Sequence, residues 1–315
     1  MKAGAVNQEL QRYTNLEENA SMAEGILTLR CLKKDNEYTS ARLISKGKGD
    51  FKYVRVEVRA KLPGGRGTWP AIWMMPTHSI YGGWPKSGEI DIMEYVGYQK
   101  DMIHGTAHCL DYYFKEKTQK SKKIKHQGVT QEFNVYALEW YPDRLEYYMN
   151  DRHYFTIHRE YKGWTKWPYS QDFYLILNIA FGGSWGGVKG IDDSLFNRPG
   201  GVNMQIDYVR VYDLGIRDVA EMAPTPPKGI ELSYLKLKQV KCSWQPSIDD
   251  HSVAYYEVWV NGQKKGQAKK HSLILYGTPS HQDLKVQIKA FDEAGNNSTS
   301  KDKVFRLVDS MIQAK

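Results

Sequence analysis

The run Gly88-Glu-Ile-Asp-Ile-Met-Glu94 sets three carboxylates, Glu89, Asp91 and Glu94, into an otherwise apolar, β-prone stretch. An ordinary core strand has no use for them, because burying charge is costly unless it is paired or put to work. Side chains alternate along a strand, so Glu89 and Asp91 share a face while Glu94 falls on the other. A one-residue bulge at Ile92-Met93 would return Glu94 to their face, and bulges are common beside active sites. The two glutamates then converge to roughly 5–6 Å, the separation a retaining glycosidase needs. One attacks the anomeric carbon. The other, kept protonated by its like-charged neighbours, protonates the leaving oxygen and later activates water. Asp91 raises the pKa of the acid and orients the nucleophile. The competing reading is a strand whose acids face solvent or pair with lysines, and spacing alone leaves both open.

The surroundings weigh on that choice. The acidic run is preceded by Gly82-Gly-Trp-Pro-Lys-Ser-Gly88, and Gly67-Thr-Trp-Pro-Ala-Ile-Trp-Met-Met-Pro76 lies upstream. Tyr38-Thr-Ser-Ala-Arg-Leu43, His104-Gly-Thr-Ala-His108, Tyr136-Ala-Leu-Glu-Trp140, Leu175-Ile-Leu-Asn-Ile-Ala180, Gly182-Gly-Ser-Trp-Gly-Gly187 and Ile206-Asp-Tyr-Val-Arg-Val-Tyr212 follow the same order as in a known family. From about Gln8 to Tyr212 the chain resembles glycoside hydrolase family 16. Its acidic motif is similar to the six-residue, bulged form of the laminarinase-like, agarase-like and galactanase-like branches, not the shorter form of the lichenases. The resemblance implies a concanavalin-like β-jelly-roll sandwich and an endo-acting, retaining glycanase. It implies Glu89 as nucleophile, Asp91 as assisting acid, Glu94 as acid/base, and His108 in the cleft near the acid/base.

Trp69, Trp84 and Trp185 flank Gly-rich loops and match cleft positions of the family. Indole faces stack on the apolar faces of pyranose rings. Trp73, four residues from Trp69, is expected to be partly core. Asn178 is a polar residue in an apolar run; it is either a buried amide satisfied within the fold or, as the resemblance implies, a cleft residue. Arg66, in the loop before Trp69, is placed to touch sugar hydroxyls or to be solvated.

The elements that must hold these residues are strands. Ile26–Leu32, Thr39–Ser45, Tyr53–Lys61, Thr68–Met75, Ile90–Tyr95, Ile103–His108, Asn134–Tyr141, Arg144–Met149, Phe173–Phe181 and Gln205–Tyr212 alternate or run apolar between turn signals. Such a series without helical periodicity predicts an all-β sandwich or barrel. Residues 1–24 read as polar loop. A catalytic domain over 1–213 precedes a Pro-rich linker over 214–228. Residues 229–315 carry further strand patterns and the hairpin turn Asn261-Gly262, and they resemble a fibronectin type III domain.

At 315 residues the chain has room for one large and one small β domain. Its net charge of +8 makes an acidic partner worth weighing. Much of the excess sits in Lys120–Lys125 and Lys264-Lys265, read as solvated loops, and no nucleic-acid motif accompanies them. Cys31, Cys109 and Cys242 lack metal-ligand spacing and allow at most one disulfide. No metal site is expected from them. No apolar run is long enough to span a membrane, and no signal-peptide pattern opens the sequence.

The resemblance implies no required cofactor. Many relatives build a structural calcium site partly from a segment before the Asn7–Thr14 equivalent, and its absence here weakens that expectation. The expected function is endo-hydrolysis of β-1,3-glucan by a secreted, periplasmic or cell-surface monomer whose partner is a polysaccharide. The alternatives are an endo-β-galactosidase acting on galactan or mucin-type O-glycans, a transglycosylase, and a non-catalytic carbohydrate-binding protein. The Cys109–Lys125 segment, rich in lysine and carrying Tyr112 and Tyr113, departs from the usual laminarinase loop. It is expected to remodel one end of the cleft or to favour an anionic chain.

Overall fold

The computed structural model describes residues 7–160, 163–216, 223–236, 239–249, 253–292, 296–308 and 311–314. The chain falls into two compact units, the first ending at Ile216. The first opens with β1 (Gln11–Tyr13), β2 (Ala20–Ala23), β3 (Ile26–Lys34), β4 (Glu37–Ser40) and β5 (Arg42–Ile44). It continues through β6 (Asp50–Phe51), β7 (Val54–Lys61), β8 (Thr68–Pro76), β9 (Glu89–Tyr95), β10 (Met102–His108) and β11 (Lys120–Lys125). It ends with β12 (Asn134–Trp140), β13 (Arg144–Met149), β14 (Arg152–His158), β15 (Phe173–Phe181) and β16 (Val202–Asp213).

These strands form the two sheets of a jelly-roll sandwich. One runs β1-β4-β3-β16-β7-β12-β13-β14, with β2 beside β3. The other runs β11-β10-β9-β8-β15-β5, with β6 beside β15. Alternation decides which side chains fill the space between them. β8 sends Ile72 and Met74 into the core and turns Trp69, Ala71, Trp73 and Met75 outward. β15 does the same with Phe173, Leu175, Leu177, Ile179 and Phe181 against Asn178 and Ala180. From the facing sheet come Val56 and Val58 of β7, Leu138 and Trp140 of β12, and Leu145 and Tyr147 of β13. Each buried aliphatic or aromatic side chain contributes about 1.5–3 kcal/mol. A one-residue slip would turn a whole strand's set to the wrong face, so the core pins the register of the cleft side.

Three sequence expectations need correction. Thr39–Ser45 is not one strand: the chain crosses from one sheet to the other at Ala41, which is buried. The alternation carries through the crossing, and periodicity does not report a change of partner. Residues 1–24 are not all loop, because β1 and β2 pair with β4 and β3. The Lys120–Lys125 run is an edge strand on β10, and Lys264-Lys265 lies in the strand Gln263–Ala268. An edge strand needs neither apolar face, so lysines that look like loop can pair through the backbone alone.

In the second unit Ala223–Pro227 has no regular structure; residues 217–222 of the expected linker lie outside the described residues. A three-stranded sheet joins Lys228–Lys236, Gln239–Gln245 and Ser272–Tyr276, and a six-stranded sheet is centred on Val253–Val260 and Asp283–Asp292. Cys242, Trp244, Tyr256, Val258, Ile288 and Phe305 belong to a core of its own. Asn261 and Gly262 both have positive φ, 49° and 77°, as a two-residue primed hairpin turn demands. Cys31, Cys109 and Cys242 are buried free thiols.

Candidate active site

The outward face of the β8–β9–β15 region carries a cleft of about 480 Å³. Its lining includes Glu89, Asp91 and Glu94 from β9, Trp69, Ala71, Trp73 and Met75 from β8, Asn178 and Ala180 from β15, and Arg42 from β5. Asn7, Glu9, Trp84, Phe114 and Lys115 complete it from loops and turns.

The bulge brings the three acids together. Along β10, Glu94 pairs with His104 and Asp91 with Thr106, so Ile92 and Met93 together face the single residue Gly105. Along β8 the register likewise shifts between Ile72 and Trp73. Ile90, Ile92 and Met93 all join the core, and the acids on either side of the bulge share the cleft face. Gly105 leaves room for this kink: a Cβ there would sit 2.5 Å from the Tyr154 hydroxyl and 2.8 Å from the Tyr147 ring.

Each glutamate is held by an indole. The Trp69 Nε1–H donates to Glu94 Oε1 at 3.0 Å, and the Trp84 Nε1–H donates to Glu89 Oε2. Burial pushes the Glu94 pKa up to about 8; the Trp69 hydrogen bond opposes this and the Glu89 charge adds to it. Asp91 is also raised, first by burial and then by the charges of Glu89 and Glu94. Near neutral pH the arrangement therefore contains a protonated Glu94 beside Glu89. It can donate a proton to a leaving group while a second carboxylate attacks.

His108 stands opposite Glu89 across the β9–β10 pair, on the cleft face, but is buried there beside Asp91 rather than open to the cleft. Its Nε2 is 3.4 Å from Asp91 Oδ2, in an orientation that makes no hydrogen bond. Its ring packs 6.1 Å from those of Trp84 and Phe114. Burial pushes its pKa down against the pull of Glu89. Asn178 serves both readings open to it. It faces the cleft, accepts from Trp73 Nε1 at 2.7 Å and donates to the Tyr13 hydroxyl at 3.1 Å. Trp185 packs edge to face on Trp69 at 5.5 Å and on His104 at 5.0 Å, outside the cleft lining. Arg66 is exposed and outside the lining; its carbonyl accepts from the Asp192 N–H. The positive φ of Gly67, 101°, belongs to the loop that separates it from the strand.

Several lining residues escaped the sequence reading. Trp73, expected to be partly core, is half-buried on the cleft face. Its ring and that of Tyr13 sandwich the Arg42 guanidinium, at 4.8 and 5.0 Å. The signal was available, because Trp69 and Trp73 share parity on one strand. Ala71 and Ala180 form a low floor beside Glu94, where a larger residue would fill the cleft. Phe114 and Lys115 come from a short 3₁₀ turn at Phe114–Glu116 that no strand periodicity marks.

Among the described residues, the cluster with metal-type ligands is Glu89, Asp91 and His108. Calcium takes six to eight oxygen ligands. A cluster offering an imidazole and two carboxylates does not fit a structural calcium.

Comparison with known proteins agrees with this geometry. The family described as glycosyl hydrolases family 16 matches residues 7–210. A β-glucanase of Rhodothermus marinus is 44% identical over 217 residues, which span 65% of this chain and 74% of that protein. The X-ray structure of the laminarinase from Rhodothermus marinus superposes with a TM-score of 0.63 at 43% identity, covering 66% of this chain and 86% of that one. A keratan-sulfate endo-1,4-β-galactosidase of Sphingobacterium multivorum is 40% identical over 179 residues, 56% of this chain and 40% of that protein. With the match running the length of the first unit over a fold and cleft of this kind, the chain belongs to glycosyl hydrolases family 16 and is an endo-β-glycosidase.

Proposed function

We propose that the protein hydrolyses internal bonds of a β-1,3-glucan with retention of configuration. The observation that carries the mechanism is Glu94, held protonated to about pH 8 on the same cleft face as Glu89. A Glu89 carboxylate oxygen attacks the anomeric carbon, and the bond to the leaving oxygen breaks. The Glu94 proton passes to that oxygen, leaving a glycosyl ester on Glu89. Glu94, now a carboxylate, takes a proton from water, which attacks the same carbon and frees Glu89. Asp91 supports the cycle by resisting ionisation between the two. Trp84 orients Glu89 through its indole N–H. Trp69 and Trp73 offer ring faces to the sugars, and Asn178 and Arg42 offer polar contacts. His108 packs beside Asp91 and Trp84. No cofactor enters this scheme.

The glucan assignment is supported by the relatives named as β-glucanase and laminarinase. The galactosidase relative makes a β-1,4-galactosyl backbone the competing substrate. The second unit suits a fibronectin type III-like spacer, and the enzyme suits a monomer acting outside the cell, where such polymers are met.

Glu89→Gln tests the core of the reading. It keeps the shape of the side chain and removes the nucleophile. Turnover of laminarin should fall by about three orders of magnitude or more, while calorimetry still detects binding of laminari-oligosaccharides. Near-normal turnover would overturn the assignment of Glu89. Release of fragments from mucin or galactan alone would transfer the enzyme to the galactosidase side. The anomer first formed, followed by NMR, reads retention directly.

A further inference from the structure

We propose that the end of the cleft built by the Phe114–Glu116 turn recognises an anionic substituent on the glycan, a sulfate ester or a carboxylate, through Lys115. This rests on the glycan-cleaving reading of the same cleft.

Lys115 lines the cleft, and its Nζ stands 5.9 Å from the centroid of the Trp84 ring. That indole in turn holds Glu89, so the cation is one side chain away from the reacting carboxylate. Two neighbouring lysines share a carboxylate. Lys120 and Lys166 converge on Glu160 at 3.5 and 3.0 Å. Among the described residues Lys115 and Lys123 have no carboxylate within ion-pair distance. Lys123 shares this face of the sheet but stands opposite His104 at the Glu94 end, four residues along β10 from His108. The next pair on the same face, Thr106 and Ser121, joins hydroxyls at 3.1 Å.

The other end of the cleft is arranged differently. There Arg42 is sandwiched between two aromatic rings, and the Glu9 carboxylate is buried nearby, with the Tyr13 hydroxyl 3.5 Å from it. Among the described residues neither Arg42 nor Lys115 has a carboxylate at ion-pair distance, but Arg42 is closed in by two rings while Lys115 is exposed at the cleft wall. A neutral glucan leaves that exposed cation unpaired, whereas an anion on the chain satisfies it. Phe114, 5.5 Å from Trp84, adds an apolar wall beside it. Lysine is a compact point charge without the fork of arginine. It reads charge rather than geometry, so sulfate and carboxylate should both serve.

The test compares laminarin with its carboxymethylated and sulfated derivatives of matched length, for the wild type, Lys115→Gln and Lys115→Arg. At low salt both derivatives should show a KM roughly three- to fivefold below that of laminarin, the scale of one exposed ion pair. The advantage should vanish in about 0.5 M salt and in Lys115→Gln, and persist in Lys115→Arg. Because a substituent can also block the cut, Glu89→Gln is titrated with the same three glycans, and the ratio of affinities is expected to follow the same pattern. Laminarin that is cut and bound as well as its anionic forms, in wild type and Lys115→Gln alike, would overturn the proposal. If laminarin is not cut, the β-1,3-glucan reading fails by itself. The ratio is then read on keratan sulfate and its desulfated form, and equal affinities there reject the anion site as well. A derivative favoured only when sulfated would reject the charge-only recognition argued from lysine.

Discussion

At the scale of single residues, the site is two glutamates with two indoles. Trp69 matters electrostatically as well as by contact, because its N–H stabilises the charged form of Glu94 and so holds its pKa below where burial alone would put it. Activity that needs the Glu94 proton is present below about pH 8 and lost as pH rises through that value. Trp69→Phe removes the hydrogen bond and keeps a ring. The alkaline limb of kcat/KM should therefore move upward, whatever happens to KM through lost stacking. An alkaline limb that stays or moves down would show that Trp69 only stacks. Glu89, Asp91 and Glu94 were legible in the sequence because three acids in an apolar run have few structural explanations. Trp73 was not, because an aromatic residue on a strand reads equally as core or cleft. Arg66 stood between two readings, sugar contact and solvation, and its exposed side chain outside the lining favours the second.

At the scale of elements, the bulge in β9 and the glycine facing it act as a pair. Ile92 and Met93 crowd two side chains into the core opposite Gly105, whose missing Cβ leaves space for Tyr147 and Tyr154. Gly105→Ala should lower unfolding stability by about 1–3 kcal/mol, the usual scale of overpacking. Denaturant titration measures it. Because any relief would push on β9, kcat should fall more than KM rises. A variant of wild-type stability and rate would show that the kink is held by other contacts. The position of the bulge was legible because the acids required it. The edge strand β11 was not, since backbone pairing leaves no mark on a run of lysines. The split at Ala41 was hidden because a crossing between sheets preserved the alternation.

At the scale of the whole molecule, two separate cores predict two separable units. The first contains every cleft residue described above, and the second has its own buried set around Trp244 and Val258. A chain ending at Ile216 should retain kcat on soluble laminarin within about twofold and unfold in one cooperative transition, as its single core implies. Loss of activity in a folded truncation would give the second unit a part in the reaction. The division was legible from Ala223-Pro-Thr-Pro-Pro and the change in pattern beyond it.

The bulge also has an arithmetic consequence. In a strand, sidedness is a matter of parity. Glu89 and Glu94 are an odd number of steps apart, and the one residue that does not count restores an even number. Removing Ile92 and the kink together would leave acids at three successive alternate positions, still on one side, with Tyr95 and everything after it unturned. A one-residue deletion that would invert any other strand of this sheet is here neutral in sign. The motif can exist in two lengths with one geometry.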